Sequence, residues 1–168
     1  LRNIIDPSQT TSNINQKNEQ TVLWKIYGTF TKHNTLLTLV SVKEDLNFLE
    51  KNTDLSYNEK VLYYLNLPHH TEFTLSAGKL GFRKAQRSEL EAAYQVSYRF
   101  FKMIEDRNLL NHNDKIEVIL KNFGQGRDIF LSALTGKEGS NIQPHVVRLI
   151  DATSLKFGGD RPKSQRRL

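Results

Sequence analysis

The sequence contains no cysteine, which excludes a disulfide framework and every thiolate metal site. It also lacks a long apolar run, because no window approaches the roughly 18 uncharged apolar residues that a membrane-spanning helix needs. The five histidines include no His-x-x-x-His pair, so their spacing predicts no metal site. We therefore expect a protein without a membrane span, a metal or another cofactor.

Positive charge is what the chain has in excess. The 24 Lys and Arg outnumber the 18 Asp and Glu, which gives a formal net charge of +6 over 168 residues. This excess favours an anionic partner, and nucleic acid and an anionic membrane surface both fit it. The length suits one domain with its own core. Because the sequence begins with Leu1 rather than Met, we expect a preceding segment that could hold a targeting peptide.

Composition divides the chain into three parts. Residues 1–21 are rich in Ser, Thr, Asn and Gln and predict an extended N-terminal arm. Residues 22–155 carry the apolar periodicity of a folded domain, with an insertion over about 44–71 where charge density rises. Residues 156–168 form a basic C-terminal tail without apolar periodicity, and its last eight residues hold the cations Arg161, Lys163, Arg166 and Arg167.

Apolar periodicity predicts the elements of the domain. The run 22–42 indicates a β-hairpin, and helical spacing over Ser88–Arg107 indicates a helix whose capping box is Ser88 with Glu91. Strands and helices alternate, which argues for an α/β fold with a mixed β-sheet flanked by helices in a three-layer-like arrangement. The other predicted elements are a short helix before Pro68, strands over Glu72–Gly78, Lys115–Phe123 and His145–Thr153, and a helix over Arg127–Leu134.

The loop "GKLGFRKAQR" combines glycines, cations and one aromatic residue within Gly78–Arg87. This composition suits phosphate contacts, and Phe82 would either stack on a base or pack into the core. The ordinary alternative is a solvated run of charges. The cations offered by the loop are Lys79, Arg83, Lys84 and Arg87.

A second loop, "FGQGR", separates a predicted strand from a predicted helix. Gly124 and Gly126 would let the backbone approach an anion at the helix start, and Arg127 would add a bidentate donor. The Gly-Lys-Ser/Thr ending of a nucleotide-binding P-loop is missing. A tight turn that merely starts a helix is the other interpretation.

Four segments, in this order, resemble the S-eleven family of small-subunit ribosomal proteins. The family's Phe-Asn-Asn-Thr hairpin turn is similar to Phe30–Thr35, and its Ala-Gly-x-x-Gly-Phe-Arg loop is present as "AGKLGFR". Its Gly-Pro-Gly-x-Gly-Arg turn is similar to "NFGQGR", and its basic tail is similar to "GDRPKSQRR". The resemblance extends from about Tyr27 to Leu168.

The chain also departs from the family. Asn122 and Phe123 stand where the family has Gly-Pro, and Phe157 and Gly158 stand where it usually has His-Asn. The insertion over about 44–71 replaces a brief hairpin connection. Together with the polar arm, these departures are typical of a mitochondrial member, and specifically a fungal one.

The resemblance implies a structural, non-enzymatic component of the small subunit of the mitochondrial ribosome, located in the matrix and not a homo-oligomer. Its partners would be small-subunit rRNA in the platform region near the mRNA exit path and neighbouring platform proteins, with mRNA nearby. The residues expected to bind RNA are Asn34, Lys79, Arg83, Lys84, Arg87, Gly124, Gly126, Arg127, Arg161, Lys163, Arg166 and Arg167.

Two alternatives remain at this point. An RNase H-like metal-dependent nuclease would use a similar α/β layer, and it would need two or three carboxylates converging at strand ends to hold Mg²⁺. Glu117 and Asp151 are the only plausible pair for it. An RNA-binding regulator outside the ribosome is the second alternative.

Overall fold

The computed structural model describes residues 18–164. Most of the predicted arm therefore lies outside the described residues, as do Arg166 and Arg167 of the predicted tail. The first strand, β1, begins at Glu19. The last residues assigned to the arm thus belong to the sheet.

Five strands form one mixed sheet with the order β3-β2-β1-β4-β5. β2 pairs antiparallel with both β1 and β3, whereas β4 runs parallel to β1 and β5 runs parallel to β4. The predicted α/β class with a mixed sheet is confirmed. The strands are β1 (Glu19–Thr31), β2 (Asn34–Asp45), β3 (His69–Ser76), β4 (Ile116–Lys121) and β5 (Val146–Asp151).

Two short and two longer α-helices accompany the sheet in the described range. α1 and α2 lie in the insertion between β2 and β3, α3 connects β3 to β4, and α4 follows β4. None of these helices is long and apolar enough to cross a membrane. Their bounds are α1 (Phe48–Lys51), α2 (Tyr57–Leu65), α3 (Leu90–Asp106) and α4 (Gly126–Thr135), and 3₁₀ turns occupy Lys84–Ser88, Lys137–Gly139 and Gln143–His145.

Side-chain alternation decides which face of the sheet is covered. In β1, Trp24, Ile26 and Phe30 are buried, whereas Lys25 and Tyr27 between them are only half-buried. The buried face meets the helical faces whose apolar residues recur at three- and four-residue spacing. The helical residues in this core are Ala92, Val96, Phe100, Phe101 and Ile104 of α3 and Phe130, Ala133 and Leu134 of α4.

The start of α3 differs from the sequence prediction. Ser88 donates its hydroxyl to the carbonyl oxygen of Ala85 at 2.6 Å, because residues 84–88 form a 3₁₀ turn. Glu89 takes the N-cap position without a side-chain hydrogen bond. The predicted capping box at Ser88 was therefore wrong, although the helix itself is present.

Strand direction brings the predicted motifs to one end of the sheet, which we call the loop end. β1, β3, β4 and β5 all run toward this end. The hairpin turn at 32–33, the loop at 77–89, the turn at 122–126 and the tail after Asp151 therefore all start there. The insertion joins β2 to β3 at the other end of the sheet, about 35–40 Å from the loop end along β2.

Candidate nucleic-acid interface

A groove of about 950 Å³ opens at the loop end. Three of the predicted motifs line it. The hairpin turn contributes Lys32 and His33, the 3₁₀ turn contributes Ala85 and Ser88, and the turn over 122–125 closes the third side. Segments that are distant in sequence thus form one concave surface.

A smaller pocket adjoins this groove and gathers further predicted residues. Asn34, Arg87 and Gly126 are among the residues that line it. The side-chain oxygen Oδ1 of Asn34 is shielded from solvent and finds no hydrogen-bond partner within residues 18–164. Because buried polar atoms are normally paired, this pocket retains an unused hydrogen-bond acceptor.

The two glycines of the turn pack closely against the rest of the protein, Gly124 against backbone and Gly126 against side chains. The Gly124 amide donates to the carbonyl oxygen of Phe30 at 3.0 Å, and a Cβ on Gly124 would collide with the carbonyl oxygen of Thr31. A Cβ on Gly126 would collide with the hydroxyl of Thr35. These contacts join the turn to the hairpin, and the approach of an anion to Gly124 and Gly126 stays a prediction.

Arg127 holds the same turn from the other side. Its guanidinium donates to the Asn122 carbonyl oxygen at 3.2 Å and to the Asp151 carboxylate at 3.1 Å, and only 17% of its side chain is exposed. Hydrogen bonds from Thr153, and then from Arg127, lower the pKa of Asp151 below its ordinary value. Arg127 therefore positions the turn, and its direct contact with a phosphate stays a prediction.

Phe123 is the aromatic side chain that the groove exposes. The residue is 74% exposed, and the Arg127 guanidinium lies over one face of the ring, 4.6 Å from the centroid. Asn122 before it has φ +67, a left-handed conformation that Asn tolerates better than most residues. The sequence prediction considered Phe82 for stacking, but Phe82 packs against the core.

The remaining predicted cations within residues 18–164 lie at the surface and are held to different degrees. Lys79 donates to the carbonyl oxygen of Thr74 at 2.5 Å, and Arg87 donates through Nε to the carbonyl oxygen of Phe82 at 3.2 Å. The others are exposed, as is Lys32, a groove cation that the sequence prediction missed. These exposed cations are Arg83, Lys84, Arg161 and Lys163.

The carboxylates considered for a nuclease do not converge. Glu117 aligns with Arg148 across β4 and β5, and Asp151 aligns with Leu120, so the two acidic side chains lie on opposite faces of the sheet. Glu117 pairs with Arg148 at 3.2 Å, and Asp151 pairs with Arg127. Within the described part of the chain, no three His, Asp or Glu residues are placed to hold a metal.

Gly126→Ala is expected to lower the free energy of unfolding by about 1–3 kcal/mol through overpacking. The added methyl would meet Thr35 and would lie 3.1 Å from Cβ of Ala93. Gly78→Ala is the matched control, since its Cβ would meet only ordinary contacts at 3.8 Å and beyond. Urea denaturation of both variants measures the difference, and equal midpoints would contradict the packing role of Gly126.

Comparison with known proteins identifies relatives, although no family model matches the chain. The chain is 43% identical over 95 residues to the small ribosomal subunit protein uS11m of Neurospora crassa and 35% identical over 96 residues to that of Schizosaccharomyces pombe. These matches cover 56% and 57% of this chain but only 25% and 42% of the relatives. The chain thus spans less than half the length of both relatives.

A bacterial relative is matched over most of its length. The small ribosomal subunit protein uS11 of Parabacteroides distasonis is 30% identical over 113 residues, which cover 67% of this chain and 81% of that protein. The two fungal relatives, which carry the mitochondrial name uS11m, show higher identity over shorter matches. The chain therefore belongs to the uS11 family of small ribosomal subunit proteins.

Proposed function

We propose that this chain is a structural, non-enzymatic constituent of the mitochondrial small ribosomal subunit and binds small-subunit rRNA through the loop end of its sheet. The convergence of four motif segments at that end is the observation that carries the proposal. Family membership supports the ribosomal assignment. Within the subunit, we assign the chain to the platform near the mRNA exit path, beside neighbouring platform proteins and close to mRNA.

Two kinds of contact would hold the RNA. Exposed cations around the groove, among them Lys32, Arg83 and Lys84, would neutralise backbone phosphates and release counterions. The exposed ring of Phe123 would accept an unstacked base on its open face. Since the groove walls come from several loops, a folded RNA surface fits them better than a short linear sequence.

The tail would extend the same interface. It leaves the sheet after Asp151 at the loop end, and its described cations Arg161 and Lys163 are exposed. Arg166 and Arg167, beyond the described residues, continue the run of positive charge. A basic segment of this kind can lie along RNA and become ordered as it neutralises phosphates.

Tagged protein is expected to co-migrate with small-subunit rRNA on sucrose gradients at both moderate and high salt. A component locked into the subunit by a folded interface resists salt better than one held by charge alone. Free protein at the top of both gradients would contradict the ribosomal assignment and favour the regulator. Co-migration that is lost at high salt would indicate peripheral binding.

The logarithm of the affinity of the purified chain for a small-subunit rRNA transcript is expected to fall linearly with the logarithm of salt concentration. Arg83→Gln with Lys84→Gln should reduce the magnitude of this slope by about 1.4–1.8, because each phosphate contact contributes roughly 0.7–0.9. Filter binding at several salt concentrations gives the slope.

Lys102→Gln with Lys115→Gln is the charge-matched control. Both residues are exposed, and Lys115 precedes β4 at the end of the sheet opposite the groove. The control should leave the slope close to the wild-type value. Equal slopes for the two double variants would show that the loop end is not the RNA surface.

Phe123→Ala is expected to weaken RNA binding by about 5- to 150-fold, which is roughly 1–3 kcal/mol, at every salt concentration. The slope should stay unchanged because no charge is removed. Tyr57→Ala, which truncates an aromatic residue that is 80% exposed in the insertion, is the control. Loss of affinity in both variants, or in neither, would contradict stacking at Phe123.

A further inference from the structure

Helix α2 exposes an apolar stripe to solvent. Tyr57, Val61, Tyr64 and Leu65 recur at three- and four-residue spacing and therefore share one helical face. Their side chains are 80%, 38%, 41% and 73% exposed, respectively. We call these four residues the α2 stripe. A contiguous apolar patch on a helix usually marks an interaction site.

The helix is held in place by its other face. Tyr63 stacks on Phe48 with ring centroids 3.5 Å apart and an interplanar angle of 6°, and its hydroxyl accepts from the amide of Asp45 at 3.0 Å. A capping box joins Ser56 and Glu59 at the N-terminus. A nine-residue helix is marginal alone, so these contacts keep the α2 stripe preformed even though no residue of α2 is buried.

The charge of the insertion is opposite to that of the rest of the chain. Residues 44–71 contain five acidic and two basic residues, whereas the whole chain has an excess of Lys and Arg. Glu50 and Asp54 are exposed beside α1 and α2. Phosphate groups of RNA or of an anionic membrane would be repelled here, and a cationic partner would be attracted.

The position of α2 separates it from the proposed RNA surface. The insertion follows β2 at the end of the sheet opposite the groove. A partner at the α2 stripe would therefore leave the groove at the loop end open. This inference goes beyond RNA binding and depends on different residues.

We propose that the α2 stripe is a docking surface for a segment of another protein that combines apolar side chains with Lys or Arg. The apolar side chains would cover Tyr57 and Leu65, while the cations would meet Glu50 and Asp54. Tyrosines at such a surface provide large contact areas at a small entropic cost. Charge complementarity would set the orientation of the segment and speed its association.

Photocrosslinking tests the proposal in cells that produce the full chain. A benzophenone amino acid in place of Leu65 should crosslink to another protein, and mass spectrometry should identify a crosslinked peptide with apolar residues and a net positive charge. The same probe in place of Leu90, which is 53% exposed at the start of α3, should not give this peptide. Crosslinks from Leu65 to RNA, lipid or a second copy of this chain, or no crosslink, would overturn the proposal.

Two variants separate binding from folding. Tyr57→Ser with Val61→Ser should reduce the crosslink at least tenfold without changing the thermal midpoint, since both side chains are exposed. Glu50→Lys with Asp54→Lys should reduce it several-fold, and Glu91→Lys on α3 should not. An unchanged crosslink in either double variant would overturn the proposal.

The crosslinked peptide is identified whether or not the chain sediments with ribosomes. The docking proposal and the ribosomal proposal can therefore fail independently of each other.

Discussion

The close approach of the 122–126 turn to the β-hairpin is the constraint on which the loop end depends. The Gly124 amide bonds to the Phe30 carbonyl oxygen at 3.0 Å, and neither Gly124 nor Gly126 has room for a Cβ. Below them, the buried Phe30 ring packs against Phe130 with centroids 5.7 Å apart. The core under the sheet thus fixes the relative positions of two loops that are about ninety residues apart in sequence, and the groove exists because those positions are fixed.

Positive charge is divided between structural and accessible roles at this end. Arg127 is satisfied by Asp151 and the Asn122 carbonyl, so it stabilises the turn that presents Phe123. Arg83 and Lys84 are exposed. Basic residues therefore have two roles here: some hold the loops in position, and others provide the positive electrostatic potential of the surface. The sequence around Arg127 does not show that its role is structural, because its carboxylate partner, Asp151, lies 24 residues away at the end of β5.

The sequence was informative wherever burial repeats with a regular period. The hairpin and α3 follow from alternation and from three- and four-residue spacing, and both are present. The capping box at Ser88 failed because a 3₁₀ turn redirects its hydroxyl to Ala85. Phe123 was missed because its exposure depends on the left-handed backbone of Asn122 and on Arg127 packing beneath it. These residues are close together in sequence, but their contacts depend on irregular backbone conformations that no periodic pattern predicts.

The insertion lies between two strands that are already neighbours, and this limits its thermodynamic cost. The entropy of closing a loop grows only logarithmically with its length, by about 0.6 kcal/mol for each doubling. Residues 46–68 connect the adjacent ends of β2 and β3, so lengthening this connection changes no strand order and displaces no part of the core. The fold can therefore acquire new sequence at this end without moving the loops that form the groove at the other end.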